Sequence, residues 1–390
     1  MAGIFEKGRS VARWDIFCSV VDNYGDIGVT WRLAQQLAEE QGHALRLWVD
    51  DLAAFVRLCP EASVDAECQH LQGVEVRRWA EPFPAVEPAQ VVIEAFACQL
   101  PPAYVAAMAA SGTRRLWLNL EYLSAEDWVA GCHGLPSPQP VGLQKFFFFP
   151  GFVDGTGGLL READLLARRR ALQADTQAQQ AFLQSLGVTR EAGARLISLF
   201  AYENVGLAGW LEALAADAQP TQLLVPQGKV LGDLQAWFGE TQLLPGDQRR
   251  RGSLQIQVLP FVAQDDYDRL LWCCDFNAVR GEDSFIRAQW AGRPLLWHIY
   301  PQEEGAHWDK LEAFLAVYSA DLPPDAVSAQ ARLWRAWNAG EGMATAWPAL
   351  AAALPTLQQH AEQWCDQQAA RADLATALEQ FYLNWLSYAA

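Results

Sequence analysis

The sequence predicts an α/β fold made of two Rossmann-like domains that face each other across a cleft. Three observations lead to this prediction. Apolar runs of strand length alternate with helical stretches, the alternation breaks once, and the same pattern then begins again. This alternation favours parallel sheets that helices cover on both faces. A length of 390 residues suits two domains, because a domain typically holds roughly 100–200 residues.

Residues 1–187 are predicted to form the N-terminal domain, which ends at a helix stop formed by Leu186 and Gly187. Its predicted strands cover 14–21, 44–49, 91–96 and 115–120, and its predicted helices cover 27–40 and 103–109. A Gly/Pro-rich section at 131–158 follows. A polar, Gln-rich helix at 162–186 is then interpreted as the connection between the domains.

Residues 188–369 are predicted to form the C-terminal domain, and a last helix at 370–390 is expected to pack back on the N-terminal one. The predicted strands of this domain cover 196–201, 222–225, 254–260, 276–279 and 294–297, and its predicted helices cover 207–216, 265–274 and 284–290. Both domains open with a strand that runs into an acidic, Asn- and Gly-containing turn. Two such domains form the GT-B layout, and ligands of open α/β sheets bind beyond the carboxyl ends of the strands.

Charge and cysteine content limit the classes of partner. A formal net charge of −17 and a pI near 4.8 argue against nucleic acids and anionic membranes, which need a basic surface. Eight cysteines without a C-x-x-C pair indicate reduced thiols. Residues 1–10 lack the apolar region of a signal peptide, and the apolar run at 146–153 is too short to span a bilayer. We therefore expect a cytoplasmic protein without a nucleic-acid or membrane partner.

The motifs of several common enzyme classes are absent from the sequence. The chain has no G-x-G-x-x-G, G-x-x-x-x-G-K-[ST], H-E-x-x-H or G-x-S-x-G string, so dinucleotide, P-loop, zincin and hydrolase sites lack their signatures. Asp266, Tyr267 and Asp268 resemble a D-x-D metal motif, but acidic residues are also typical of the first turn of a helix. The six histidines show no ligand spacing. We expect neither a metal site nor a cofactor.

The turn between the first predicted strand and helix is the first candidate site. It reads DNYGDIG at 22–28 and holds two carboxylates, a carboxamide and two glycines. In a parallel α/β domain this turn lies at the edge of the sheet where ligands bind. A structural role fits the same residues, with Asp26 as a helix cap and Asp22 as a turn former. Spacing alone does not decide between the two roles.

A second candidate site follows the strand at 276–279 and opens the next helix. Backbone N–H groups near Ser284 would bind a phosphate with help from the helix dipole, and Arg280 would add a charge-assisted contact. Glu282 and Asp283 would repel a diphosphate, so they are better suited to accept hydrogen bonds from ribose or sugar hydroxyls. The alternative is an acidic helix cap with an exposed ion pair.

Aromatic residues near the ends of two strands form a third candidate set. Phe200 and Tyr202 end a strand of the second half, and Phe261 follows another. At the edge of a sheet these rings would stack on a nucleobase, with Gln264 nearby to recognise its polar edge. Packing in the core is the alternative role, and it is the commoner one for such residues.

The chain also contains a series of longer strings over nearly its whole length. They are DNYGDIG at 22–28, NLEYLSAEDW at 119–128, GLPSP at 134–138, FFPGF at 148–152, TGGLLRE at 156–162, RGEDSF at 280–285 and WHIYPQEE at 297–304. In these strings the sequence resembles the EarP family, the elongation factor P arginine rhamnosyltransferases. A series in this order is far more specific than any single short motif.

The resemblance implies a GT-B fold, a donor and an acceptor. The family transfers L-rhamnose from dTDP-β-L-rhamnose, with inversion, to an arginine side-chain nitrogen of elongation factor P. The implied catalytic residues are Asp22 and Asp26. The implied donor and nucleotide site consists of Asn23, Tyr24, Gly25, Phe200, Tyr202, Phe261, Gln264, Arg280, Glu282, Asp283 and Ser284. The dTDP-rhamnose would be a substrate, and no cofactor or metal is implied.

Arginine chemistry gives the two aspartates different expected roles. A guanidinium has a pKa above about 12, so a carboxylate with a pKa of about 4 cannot deprotonate it in the ground state. The attacking nitrogen becomes far more acidic as its new bond forms, and a carboxylate can accept the proton then. We assign Asp22 as the general base and Asp26 as the orienting partner. The alternatives are a GT-B transferase with another nucleotide sugar or acceptor, and a non-catalytic module that binds an arginine-bearing peptide.

Overall fold

The computed structural model describes residues 11–22, 24–139 and 142–388, and at position 303 it describes the backbone alone. These residues divide into two compact units. The first unit contains the residues up to Glu162 together with those from Ala372 onward, and the second contains Ala163–Arg371. The division therefore lies before the Gln-rich connection, whereas the sequence analysis placed it after Gly187.

Over the residues that the structure describes, each unit contains one sheet. The strands of the first unit are β1 (Arg13–Cys18), β2 (Ala44–Val49), β3 (Cys68–Leu71), β4 (Val74–Arg78), β5 (Val91–Ala95), β6 (Leu116–Leu120), β7 (Pro136–Pro138) and β8 (Gln144–Phe148). Those of the second unit are β9 (Arg195–Leu199), β10 (Thr221–Pro226), β11 (Gln248–Arg251), β12 (Leu254–Leu259), β13 (Phe276–Arg280) and β14 (Leu295–His298).

Both sheets are mainly parallel. In the described part of the chain, the strand orders are β3-β4-β2-β1-β5-β6-β8-β7 and β11-β12-β10-β9-β13-β14. The strands β3, β7 and β11 lie at sheet edges and pair antiparallel with their neighbours. The central strands β1, β5, β9 and β13 are buried along almost their whole length. Parallel strands covered on both faces need such continuous apolar runs, which is why the sequence pattern revealed them.

The helices follow the predicted alternation with strands. In chain order they are α1 (Gly25–Glu39), α2 (Leu52–Leu58), α3 (Pro102–Ala110), α4 (Val129–Cys132), α5 (Leu165–Ala174), α6 (Thr176–Ser185), α7 (Leu207–Ala216), α8 (Leu231–Phe238), α9 (Gln264–Cys273), α10 (Asp283–Trp290), α11 (Ala306–Tyr318), α12 (Pro324–Ala339), α13 (Met343–Ala369) and α14 (Leu374–Ser387). The connection that was predicted as one helix consists of two helices, α5 and α6. Asp175 ends α5 and caps α6, because its side chain accepts a 3.0 Å hydrogen bond from Ala178 N.

The helix α5 belongs to the second unit because its polar side chains bond there. Arg169 is buried, donates to the carbonyl of Ala291 at 3.1 Å and pairs with Glu362 at 2.9 Å. Gln173 donates to the carbonyls of Trp272 at 3.1 Å and Ala291 at 3.0 Å. These partners are distant in sequence, so the local pattern could not reveal which unit the helix joins.

The last helix, α14, packs within the first unit. Asp373 caps this helix and also accepts a 3.1 Å hydrogen bond from Gln36 of α1. His43, the residue before β2, forms a buried contact with Glu379 of α14, with 2.7 Å between Nε2 and Oε2. These contacts attach the end of the chain to α1 and β2. Within the described part of the chain, no helix combines the length and apolar character that a membrane span needs.

Candidate active site

Asp22 and Asp26 lie where the chain passes from β1 to α1. Asp26 is in the first turn of α1, and its Oδ2 accepts hydrogen bonds from the backbone N–H groups of Val21 at 2.8 Å and Asp22 at 2.9 Å. Tyr24 occupies the N-cap of the helix, so Asp26 is not the cap. The carboxylate of Asp26 therefore fastens the turn to the helix and holds the backbone of Asp22.

Burial and hydrogen bonding act in opposite directions on Asp26. Asp26 is 1% exposed. This burial raises the pKa of its carboxyl group, and the nearby Asp22 carboxylate raises that pKa as well. Hydrogen bonds from the backbone of Asp22 and Val21 and from the Tyr122 side chain oppose the rise in pKa. Burial is the largest of these effects, so the pKa of Asp26 is raised above its ordinary value. The three donors directed at this one carboxylate also hold the Asp26 side chain in place.

Tyr122 reaches Asp26 from the end of β6. Its ring stacks on Phe96, with the ring centroids 4.7 Å apart. Phe96 and Ala97 follow β5 and have φ values of 57° and 56°. Residues other than glycine adopt this left-handed region at an energetic cost, and such residues are concentrated at functional sites. The carboxyl ends of three neighbouring strands, β1, β5 and β6, thus meet around Asp26.

The rest of the turn lies close to Asp22. Asp22 is 8% exposed, and its carbonyl accepts a 2.7 Å hydrogen bond from Gly25 N. Tyr24 and Gly25 are half-buried. Asn23, which the sequence analysis assigned to the donor, lies outside the described residues.

In the second unit, Arg280 is the last residue of β13 and is 3% exposed. Its guanidinium carbon lies 4.7 Å from the ring centroid of Phe200 and 4.6 Å from that of Tyr202. Both aromatic residues follow β9, the strand beside β13. The two rings hold the guanidinium by cation–π contact. The sequence analysis had weighed base stacking against core packing for these rings and did not foresee this contact.

Side chains also organise the start of α10. The Ser284 hydroxyl donates to the carbonyl of Arg280 and accepts from the Arg280 N–H at 3.3 Å. Glu282 is the N-cap residue, and both Glu282 and Asp283 are half-buried. Gln264 Nε2 donates to Asp283 Oδ2 at 3.2 Å, which joins the start of α9 to that of α10. Helix α10 therefore begins beside Arg280 with its first N–H groups at the carboxyl edge of the sheet.

The D-x-D string at the start of α9 serves packing. Asp268 forms a buried pair with Arg287 of α10, with Oδ1 2.9 Å from Nε, and Asp266 pairs with Arg269 at 3.0 Å. Among the residues that the structure describes, no three His, Cys, Asp or Glu side chains are grouped so that they could hold a metal ion. The Asp268–Arg287 pair instead fixes α9 against α10.

His298 lies beside Arg280 on the neighbouring strand. The two residues are paired in the parallel register of β13 and β14, and the His298 ring lies 5.2 Å from that of Tyr202. Burial and the positive charge of Arg280 lower the pKa of His298 to about 4. The imidazole is therefore neutral at pH 7, and Arg280 supplies the positive charge at this edge of the sheet.

The structure thus places the predicted residues in two groups, one in each unit. The first group contains Asp22, Tyr24, Gly25 and Asp26. The second contains Phe200, Tyr202, Gln264, Arg280, Glu282, Asp283 and Ser284, with the half-buried Phe261 just beyond the end of β12.

Comparison with known proteins decides the family. A family model described as elongation factor P (EF-P) rhamnosyltransferase EarP matches residues 14–383. This chain belongs to that family. Proteins named protein-arginine rhamnosyltransferase from Pseudomonas putida and Pseudomonas aeruginosa are 64% identical over 375 residues and 61% identical over 376 residues. Each match covers 96% of this chain and 100% of the relative.

Solved structures agree with this assignment. One solved structure is described as the structural basis for EarP-mediated arginine glycosylation of translation elongation factor EF-P. Its TM-score is 0.70 and its sequence identity is 48%, and the match covers 96% of this chain and 99% of the chain in that structure. A glycosyltransferase from Rickettsia africae shares the fold alone, with a TM-score of 0.53, 10% identity and coverage of 95% and 97%. This EarP-family chain has the GT-B fold and is an enzyme, a glycosyltransferase of the protein-arginine rhamnosyltransferase type.

The sequence analysis did not assign a role to Tyr122 or His298. Tyr122 lies in the string at 119–128 and His298 in the string at 297–304, and both strings carry the family resemblance. That resemblance was the available signal for both residues. Their contacts with Asp26 and Arg280 join segments that are separate in sequence, which local spacing does not show.

We expect Tyr122→Phe to shift the acid limb of the pH–rate profile to higher pH. The Tyr122 hydrogen bond lowers the pKa of Asp26, so its loss raises that pKa and Asp26 becomes protonated at a higher pH. Phenylalanine retains the stack on Phe96. The measurement is kcat/KM against pH, with Tyr382→Phe, which makes the same change at a buried tyrosine of the first unit, as the control. An unchanged profile would show that Tyr122 does not act on Asp26.

Proposed function

We propose that this chain transfers L-rhamnose from dTDP-β-L-rhamnose to an arginine side-chain nitrogen of elongation factor P, with inversion at the anomeric carbon. The family description, the name of the relatives and the related structure concerned with EF-P glycosylation support the proposal. The structural observation that carries it is the turn from Asp22 to Asp26, in which one buried carboxylate fixes the backbone of the other.

The two aspartates have different roles toward the acceptor arginine. The guanidinium nitrogen attacks the anomeric carbon from the face opposite dTDP, and the bond from that carbon to the diphosphate oxygen breaks. Asp22 accepts the proton that this nitrogen loses as it becomes more acidic. Asp26 holds the turn through the N–H groups of Val21 and Asp22, and its negative charge favours an approaching cation.

We place the nucleotide on the second unit. Arg280 and the first N–H groups of α10 would bind the diphosphate and stabilise the charge that develops on departing dTDP. Phe261 and Gln264 would contact the thymine, while Glu282 and Asp283 would accept hydrogen bonds from sugar hydroxyls. We place the reaction in the cytoplasm, since all eight cysteines, each among the described residues, are free.

Intact-mass analysis tests the proposal. Elongation factor P incubated with this chain and dTDP-rhamnose should gain one deoxyhexose, and peptide mapping should place it on an arginine. The rate should not change when a chelator is added, because the scheme uses no metal. Transfer from another nucleotide sugar alone would identify a different donor. Binding of elongation factor P without any mass increase would indicate a non-catalytic module.

We expect Phe261→Ala to weaken dTDP binding by about 1–2 kcal/mol, the usual contribution of an aromatic ring stacked on a base. Phe261 is half-buried beyond the end of β12, so its loss should change the melting temperature little. Calorimetry and melting curves on the same samples measure both quantities. A lower melting temperature with unchanged dTDP affinity would show that Phe261 is a packing residue.

A further inference from the structure

Gly281 joins the last residue of β13 to the start of α10, and β14 bonds to both of its backbone groups. Its N–H donates to the carbonyl of His298 at 3.3 Å, and its carbonyl accepts a 2.8 Å hydrogen bond from the indole Nε1–H of Trp297. Gly281 has a φ of 59°, in the left-handed region, and Glu282 follows in the right-handed helical region. A turn of this kind can gather successive backbone N–H groups into a concavity that binds an anion.

Trp297 is itself held in place by two helices. Its ring lies flat on that of Phe285 in α10, with the centroids 3.9 Å apart and the ring planes 6° apart. Asn338 of α12 donates to the carbonyl of Trp297 at 2.9 Å and accepts from the N–H of Ile299 at 3.1 Å. Any aromatic residue could form the stack on Phe285, but the indole also supplies an N–H donor. The bond to Gly281 is therefore what distinguishes tryptophan from phenylalanine at this position.

We propose that Trp297 is a positioning residue for the diphosphate of the donor, because its indole fixes the Gly281 peptide at the start of α10. The inference rests on the proposed function, in which Arg280 and the first N–H groups of α10 bind the diphosphate. A carbonyl oxygen carries partial negative charge and repels a phosphate, whereas N–H groups attract it. Gly281 is buried, and the indole bonds to its carbonyl, so this oxygen does not turn toward the diphosphate.

The test is Trp297→Phe, which keeps a flat ring on Phe285 and removes the N–H. Affinity for dTDP should fall by about 2- to 10-fold, the usual effect of one neutral hydrogen bond. The matched control is Trp334→Phe in α12. The Trp334 indole is also buried and donates at 3.1 Å to a carbonyl of the same strand, that of Leu295, the first residue of β14. Both variants should lose a similar amount of melting temperature, and only Trp297→Phe should lose affinity for dTDP.

Titration with thymidine separates the diphosphate from the rest of the nucleotide. Thymidine has no phosphate, so Trp297→Phe should weaken its binding less than that of dTDP. Unchanged dTDP affinity in this variant would overturn the inference. Equal losses for dTDP and thymidine, or an equal loss of dTDP affinity in the Trp334→Phe control, would also overturn it. If the unaltered chain does not bind dTDP, the proposed placement of the nucleotide is wrong, and the inference fails with it.

Discussion

Replacing Asp22 with asparagine is expected to slow rhamnosyl transfer by roughly 10²–10⁴-fold, the usual loss when a general base is removed. Asparagine keeps the size of the side chain and its ability to form a turn. It cannot accept the proton that the guanidinium nitrogen loses, and it carries no charge. Affinity for dTDP is expected to stay unchanged, because the proposed nucleotide site belongs to the second unit.

Single-turnover transfer to elongation factor P, with a dTDP titration on the same samples, measures this effect. The control is Asp65→Asn, which makes the same change at an exposed position of the first unit. If Asp22 were only a turn former, its asparagine variant would transfer rhamnose at a near-normal rate. Loss of dTDP binding in this variant would contradict the placement of the nucleotide.

Most of the parallel strands could be predicted from sequence, although β4 and β8 were missed, and the strand ends could not be predicted. The first strand was predicted at 14–21, and β1 ends at Cys18. Val20 and Val21 continue the apolar pattern, yet their N–H groups donate to carboxylates, at 2.9 Å to Asp50 and at 2.8 Å to Asp26. These bonds take the place of pairing with a neighbouring strand. The carboxylates come from elsewhere in the fold, so the local pattern gave no sign of the strand end.

Short edge strands escaped the sequence analysis for a different reason. The strands β3 and β11 read CQHL and QRRR and are largely exposed. A strand that pairs on one side and faces solvent needs no continuous apolar run. Likewise, β7 and β8 lie in the section set aside as Gly/Pro-rich. The apolar pattern finds the strands that build the core, and these are the strands whose ends carry the candidate site.

The candidate carboxylates were predictable, whereas their supporting contacts were not. Asp22 and Asp26 are four residues apart at a strand–helix turn, a position that the sequence pattern shows, although spacing alone left their role open. Tyr122 joins them because β6 lies close to β1 in the sheet, with only β5 between them. Phe200 and Tyr202 contact Arg280 because β9 lies beside β13. Such contacts depend on strand order, and the sequence analysis predicted strands without their order.

Arg280→Met is expected to weaken dTDP binding by roughly 10- to 100-fold, the usual range for a lost charge-assisted hydrogen bond. It should slow transfer by a further 10²–10³-fold or so, since charge stabilisation of a leaving group typically contributes that much. Methionine is apolar and flexible, so it can retain contact with the rings of Phe200 and Tyr202. The change therefore removes the positive charge while it keeps most of the packing.

A matched control exists in the same unit. Arg269 also lies over an aromatic ring, 4.2 Å from the centroid of Phe182, but its partner Asp266 is a surface carboxylate. Arg269→Met should leave dTDP affinity and transfer unchanged. Calorimetry, single-turnover rates and melting curves on both variants separate the possible outcomes. If Arg280→Met only lowers the melting temperature, the arginine stabilises β13 and the two rings. If both affinity and rate fall while the melting temperature holds, its charge acts on the diphosphate, because no packing role produces that combination.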